Sequence, residues 1–145
     1  MRPPRLLIID ARFYEDISDE LVRGAEAVLD DAGALHDRVS VPGALEIPAA
    51  LAMARGGMRP YDGYVLLGCV IRGETTHNDI VAGESARAVS DLAARYGLAV
   101  GNGILTVETE AQALARARVA EGDKGGGAAR AALAMIDLRR RLGHA

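Results

Sequence analysis

Two uninterrupted apolar runs, Leu6-Leu7-Ile8-Ile9 and Tyr64-Val65-Leu66-Leu67, constrain the fold of this chain more than any other feature. A strand with one wetted face alternates apolar and polar residues. An unbroken run instead fits a strand buried on both faces, as in a parallel sheet covered by helices. The intervening segments have helical period. Ser18 opens a stripe of Leu21, Val22, Ala25, Val28 and Leu29 that stops near Gly33, and a weaker strand covers residues 34–41. A helix follows Pro42-Gly43, with Pro48 tolerated in its first turn. Another long helix, carrying Ala86, Val89, Leu92, Ala93 and Tyr96, ends at Gly97. Residues 98–106 form a fourth strand, where Gly101, Asn102 and Gly103 suggest a close approach of ligand or backbone. A short helix over 108–118 turns Ala111, Leu114 and Ala115 inward. Residues 119–127 read as a Gly-rich connection, and a last helix over 128–141 carries Ala131, Ala132, Met135, Ile136 and Leu138. The order βαβαβαβα plus one helix predicts an α/β chain: a four-stranded parallel sheet between two helical layers. Its length of 145 residues suits one domain, 1–145.

Composition narrows the function. A formal net charge of −3 argues against nucleic-acid binding by bulk electrostatics. Cys69 is the one cysteine, so no intrachain disulfide forms, which fits a reducing compartment. No run reaches the ~18 apolar residues of a membrane span, and only four apolar residues follow Arg5, too few for a secretory signal. A cytoplasmic protein without membrane or nucleic-acid partners is expected. Arginine outnumbers lysine sixteen to one, which makes Lys124 conspicuous.

The chemistry concentrates between Gly68 and Val81. A buried strand runs into a polar, Gly-punctuated turn and a helix start, where Thr75 and Thr76 are N-cap candidates and Thr76 with Asp79 has capping-box spacing. Unbonded amides and the helix dipole favour an anion there. His77, in the first turn, titrates in the neutral range when unperturbed; a structural role and a proton-transfer role both fit it. Gly68 and Gly73 have P-loop spacing, but Glu74 replaces the phosphate-binding lysine and would repel a triphosphate. Gly101 and Gly103 lack the third glycine of a dinucleotide fingerprint. In parallel sheets ligands bind beyond the carboxyl ends of the strands. That rule gathers Phe13 (a lid on the core or a stacking platform), Glu46 (a helix cap or an acceptor for ligand hydroxyl and N–H groups) and residues 69–77 at one edge. No sequence pattern suggests a metal, and Cys69 reads as packed rather than nucleophilic.

Six segments, taken in order, resemble the lumazine synthase family: Ala11-Arg12-Phe13, Val41-Pro42-Gly43-Ala44-Leu45-Glu46-Ile47-Pro48, residues 68–77, Gly103-Ile104-Leu105-Thr106, Gln112-Ala113-Leu114-Ala115-Arg116-Ala117 and Lys124-Gly125. Ile71-Arg72-Gly73-Glu74-Thr75-Thr76-His77 is the most specific of them. The resemblance implies a flavodoxin-like fold and a transferase of riboflavin biosynthesis. Such an enzyme condenses 5-amino-6-(D-ribitylamino)uracil with 3,4-dihydroxy-2-butanone 4-phosphate to 6,7-dimethyl-8-ribityllumazine, without cofactor or metal. It further implies that Phe13, Ala44, Leu45, Glu46, Cys69, Val70, Ile71 and Asn102 hold the ribitylaminouracil. Glu74, Thr75, Arg116 and Lys124 would hold the phosphate, and His77 would move the proton. A related pentameric riboflavin synthase and a non-catalytic flavin- or lumazine-binding homologue are the rival readings; the phosphate elements and His77 argue against them.

Family subunits assemble as pentamers, with sites shared between neighbours. Pro3 and Pro4 discourage the extra N-terminal strand of sixty-subunit shells, because proline cannot donate to a ladder. The segment 118–123 also departs from the pattern of shell formers. An isolated pentamer, or a pair of pentamers, is therefore expected. Asn102 stands where many members have an aromatic residue, Leu45 where phenylalanine is common, and Tyr14 where asparagine is common.

Overall fold

The computed structural model describes residues 2–73 and 76–144. Its β1 (Arg5–Ala11), β2 (Leu35–Val41), β3 (Gly63–Ile71) and β4 (Val100–Val107) form one parallel sheet in the order β2-β1-β3-β4. The two apolar runs occupy the central strands. Successive side chains leave opposite faces of a strand, and each face has its own helical cover. Leu6, Ile8, Val65 and Leu67 pack with α1 (Glu15–Asp31), α4 (Glu110–Ala117) and α5 (Lys124–Arg141). Leu7, Ile9 and Leu66 pack with α2 (Ile47–Arg55) and α3 (His77–Tyr96). The result is a three-layer, flavodoxin-like α/β sandwich. From β1 the chain steps outward to β2 and then crosses back to β3 on the other face. That reversal opens a crevice beyond the carboxyl ends of β1 and β3.

Several boundaries differ from the local pattern, each for a tertiary reason. Helix α1 starts three residues before Ser18; the Ser18 side chain is buried and its hydroxyl donates to the Ala11 carbonyl, tying the helix to β1. Strand β3 continues to Ile71 because Gly68 through Ile71 pair with Ile104 through Val107. Helix α4 begins at Glu110, with Thr109 accepting from the Gln112 amide, and this phase turns Ala113 and Ala117 inward rather than Ala111 and Ala115. Glycines 125–127 are helical, not a loop. The Asp123 carboxylate caps α5 by accepting from the Gly126 amide at 3.2 Å. A side chain at Gly125 would stand 2.0 Å from the Leu21 carbonyl oxygen, so the absence of one lets α5 lie on α1. Accordingly α5 buries Ala128, Ala129, Ala132 and Ile136, and leaves Ala131, Met135 and Leu138 outside. In α3 only Ser85 and Val89 are buried; Ala86 is exposed. The close approach at Gly101 is by backbone: a Cβ there would fall 1.8 Å from the Ala128 carbonyl oxygen of α5.

Candidate functional site

The crevice holds a cavity of about 350 Å³, lined by residues from four separate segments. The first follows β1. The Arg12 amide donates to the Val41 carbonyl at 2.9 Å, extending the β1–β2 pairing by one residue before the chain turns. Phe13 comes next, 73% exposed. Tyr14 occupies the N-cap position of α1 in an extended conformation and meets Phe13 edge on. Burial raises the Tyr14 phenol pKa above its ordinary value, with nearby Cys69 and Glu110 adding to the shift.

The second wall is the 3-10 turn Ala44–Glu46. Ala44 is buried; Leu45 and Glu46 are exposed. Glu46 stands at the N-cap position of α2 but makes no side-chain capping bond, so of its two readings capping is not the one realised. Glu46 lines the cavity instead.

The end of β3 forms the floor. Cys69 and Val70 are buried and Ile71 is half-buried. Burial pushes the Cys69 thiol up to about 11 from its ordinary 9.0, so it stays protonated at neutral pH and packs rather than attacks.

His77, the first residue of α3, lines the cavity with Asn78 and Val81 from the same helix. Thr76 occupies the N-cap position but has helical backbone angles and no side-chain cap bond, so the expected capping box does not form. Glu74 and Thr75, expected at the phosphate, lie outside the described residues.

A second cavity, also about 350 Å³, adjoins the first and shares Val70 and Asn78 with it. Apart from Val107 its other walls are polar: Arg72, Asp79, Glu108, Gln112 and Arg116 among them. Arg116, in the last turn of α4, donates to the Gln112 carbonyl at 3.1 Å. Arg72 pairs with Glu108 at 3.2 Å. An aromatic, largely apolar chamber thus abuts one carrying guanidinium groups, which suits a planar molecule beside an anion.

Asn102 and Lys124 line neither chamber. Asn102 lies in mid-β4 opposite Leu66, and its side-chain oxygen accepts from the Ile104 amide at 2.9 Å. Lys124 is the exposed first residue of α5. Tyr14, Gly43, Asn78 and Val81 were not anticipated as lining residues, although Val81 follows from His77 by the i, i+4 spacing of a helix face. Asp10 was also missed. It is fully buried, accepting from Arg12 at 3.1 Å and Ser40 at 2.9 Å, with Arg38 at 3.5 Å. The signal was a carboxylate ending an otherwise apolar run. Among the described residues no group of three or more His, Cys, Asp and Glu is placed to hold a metal, and no helix is long and apolar enough to cross a membrane.

A sequence profile for 6,7-dimethyl-8-ribityllumazine synthase matches residues 3–140. Similar proteins include 6,7-dimethyl-8-ribityllumazine synthase 1 of Rhizobium meliloti (strain 1021). It is 62% identical over 147 aligned positions, covering 99% of this chain and 96% of that one. The 6,7-dimethyl-8-ribityllumazine synthase of Agrobacterium fabrum is 58% identical, with 99% of each chain covered. That of Nitrobacter winogradskyi is 57% identical, covering 97% of this chain and 89% of its own. On the profile match and these identities, the chain belongs to the 6,7-dimethyl-8-ribityllumazine synthase family.

Proposed function

We propose that this chain catalyses the condensation of 5-amino-6-(D-ribitylamino)uracil with 3,4-dihydroxy-2-butanone 4-phosphate, giving 6,7-dimethyl-8-ribityllumazine for riboflavin biosynthesis. The observation that carries the reading is the convergence of Phe13, Ala44–Glu46, Cys69–Ile71 and His77 on one cavity, with Arg116 in the chamber beside it.

In this reading Phe13 stacks on the pyrimidine. Ala44, Leu45, Glu46, Cys69, Val70 and Ile71 hold its ring and ribityl chain. Arg116 pairs with the phosphate, because a planar guanidinium matches phosphate oxygens two at a time. Glu74 and Thr75 supply amides to the same phosphate, and Lys124 helps orient it. His77 moves protons as the substrate amine and ketone join in an imine, phosphate departs and the ring closes. Most of the acceleration comes from holding two substrates in register, and no metal or redox cofactor takes part.

The whole chain, 1–145, acts as one cytoplasmic domain within a homopentamer or a pair of pentamers. Asn102 and Lys124 then meet the ligands of a neighbouring subunit's site. Asn102 offers no aromatic face there, which weakens stacking.

The test mixes the purified protein with both substrates and follows the absorbance and fluorescence of the lumazine. Formation faster than the spontaneous reaction supports the assignment; no acceleration overturns it. Light scattering should give a mass near five or ten times 15.2 kDa. A mass near sixty subunits would overturn the assembly.

A further inference from the structure

We propose that Asp10 is a positioning residue for Phe13, acting through Arg12; the inference rests on the stacking role given to Phe13 above. A ring that is 73% exposed gains little order from core packing. Its direction depends on the main chain of residues 12–14 and on Tyr14 beside it. That short segment is tied on both sides. The Arg12 amide donates to Val41 of β2, and the Ser18 hydroxyl of α1 donates to the Ala11 carbonyl. The Arg12 guanidinium then spans two carboxylates on different elements. One nitrogen donates to Asp10 at the end of β1 at 3.1 Å, and the other donates to Asp19 of α1 at 2.8 Å.

Asp10 is the buried anchor of this span. It is fully covered, yet charged groups are rarely buried without partners. Its second oxygen accepts from Ser40 at 2.9 Å and faces the Arg38 guanidinium at 3.5 Å, so β2 braces the same carboxylate. An apolar side chain of similar size would serve packing as well, since buried ion pairs add little net stability over hydrophobic replacements. What the carboxylate supplies is a single geometry. Arg12 presents donors in a rigid planar fork, and a fork held at both ends fixes the backbone from which Phe13 projects. A stacking ring already held in one direction need not be ordered when the pyrimidine binds, so loosening it weakens that binding.

The chain contains no tryptophan, so Phe13→Trp creates a single-tryptophan reporter at the ring itself. In that background the time-resolved anisotropy of the indole should show an ordered side chain. Asp10→Asn retains the shape and an acceptor for Ser40 but loses the charge that holds Arg12. It should add a nanosecond depolarisation and, in the protein with Phe13 intact, raise the Michaelis constant for the pyrimidine about three- to tenfold. The turnover number and the Michaelis constant for the phosphorylated substrate should change less than about twofold. Asp19→Asn, at an exposed carboxylate, releases the other end of the fork and tests the same span if Asp10→Asn does not fold; its effect should run in the same direction. The proposal is overturned if the indole stays equally ordered in the folded variants, or if both Michaelis constants rise together. Should the unaltered protein fail to condense the substrates, the functional assignment falls, while anisotropy still tests the clamp.

Discussion

The rings of Phe13 and Tyr14 meet edge to face, with centroids 4.9 Å apart and planes inclined by 76°. Tyr14 is half-buried against the core while Phe13 lines the cavity and is largely exposed. The more deeply set ring therefore buttresses the one proposed to stack on substrate. Such pairs are worth about 0.5–1.5 kcal/mol beyond their buried area. Tyr14→Ala should raise the Michaelis constant for the pyrimidine about two- to tenfold, and Phe13→Ala at least as much. Tyr14→Phe keeps the edge and should leave it within about twofold. Steady-state kinetics with the phosphorylated substrate saturating checks all three.

His77 and Arg116 line adjoining chambers, and their removal should separate in kinetics. His77→Ala leaves the binding surfaces in place and should slow turnover about tenfold, near or below the lower end of general acid–base effects. Arg116→Ala removes the guanidinium and should raise the apparent Michaelis constant for the phosphorylated substrate. Unchanged saturation by that substrate would remove Arg116 from the phosphate role.

Cys69 carries a pH prediction. The folded thiol holds its proton to about 11, whereas an exposed thiol loses it near 9.0. Between those values the unfolded chain binds fewer protons than the folded one, so stability falls as pH rises through that window. Below pH 9 the contribution is fully present. Chemical denaturation across pH 8 to 11 should show the decline, and Cys69→Ala should make it shallower. Iodoacetamide at pH 8 should label the denatured protein and spare the native one, as read by intact mass.

The contact between β4 and α5 gives a stability prediction. A methyl at Gly101 would meet the Ala128 carbonyl oxygen at 1.8 Å and its carbon at 2.7 Å, both backbone atoms. Gly101→Ala should cost about 3 kcal/mol or more, a large share of the stability of a domain this size. At Gly103 the contacts are less severe: the end of the Leu67 side chain at 2.9 Å, the Ala128 Cβ at 3.0 Å and the Leu66 carbonyl oxygen at 3.1 Å. Gly103→Ala should cost about 1–2 kcal/mol. Thermal unfolding of the two variants should rank them in that order.

Much of this arrangement was legible before the structure. The sheet, its parallel sense and its covered faces followed from Leu6–Ile9 and Tyr64–Leu67, because a doubly buried strand has no polar face to show. The edge that gathers Phe13, Glu46, Cys69 and His77 followed from the rule that ligands sit beyond the strand ends. Less legible was the end of β3, where glycine at 68 looked like a turn but the neighbouring strand supplied ladder partners through Ile71. The helical start of α5 was hidden for a similar reason. Three glycines disfavour a helix locally, yet the lack of a side chain at Gly125 is what lets α5 lie against α1.

The amino-acid sequence by itself determined the alternation of strand and helix, the burial of both sheet faces and the strand ends beside which the cavity lies. These are encoded by residues close together along the chain, through their periodicity and their turn propensities. Only the tertiary structure decided which face α4 and α5 turn inward, that Glu46 lines a cavity rather than capping α2, and that Asp10 and Asp19 hold Arg12 between them. Those outcomes depend on the phase of one element against another and on partners thirty or more positions apart, as Asp10 and Ser40 or Leu21 and Gly125 are. No local pattern specifies such partners.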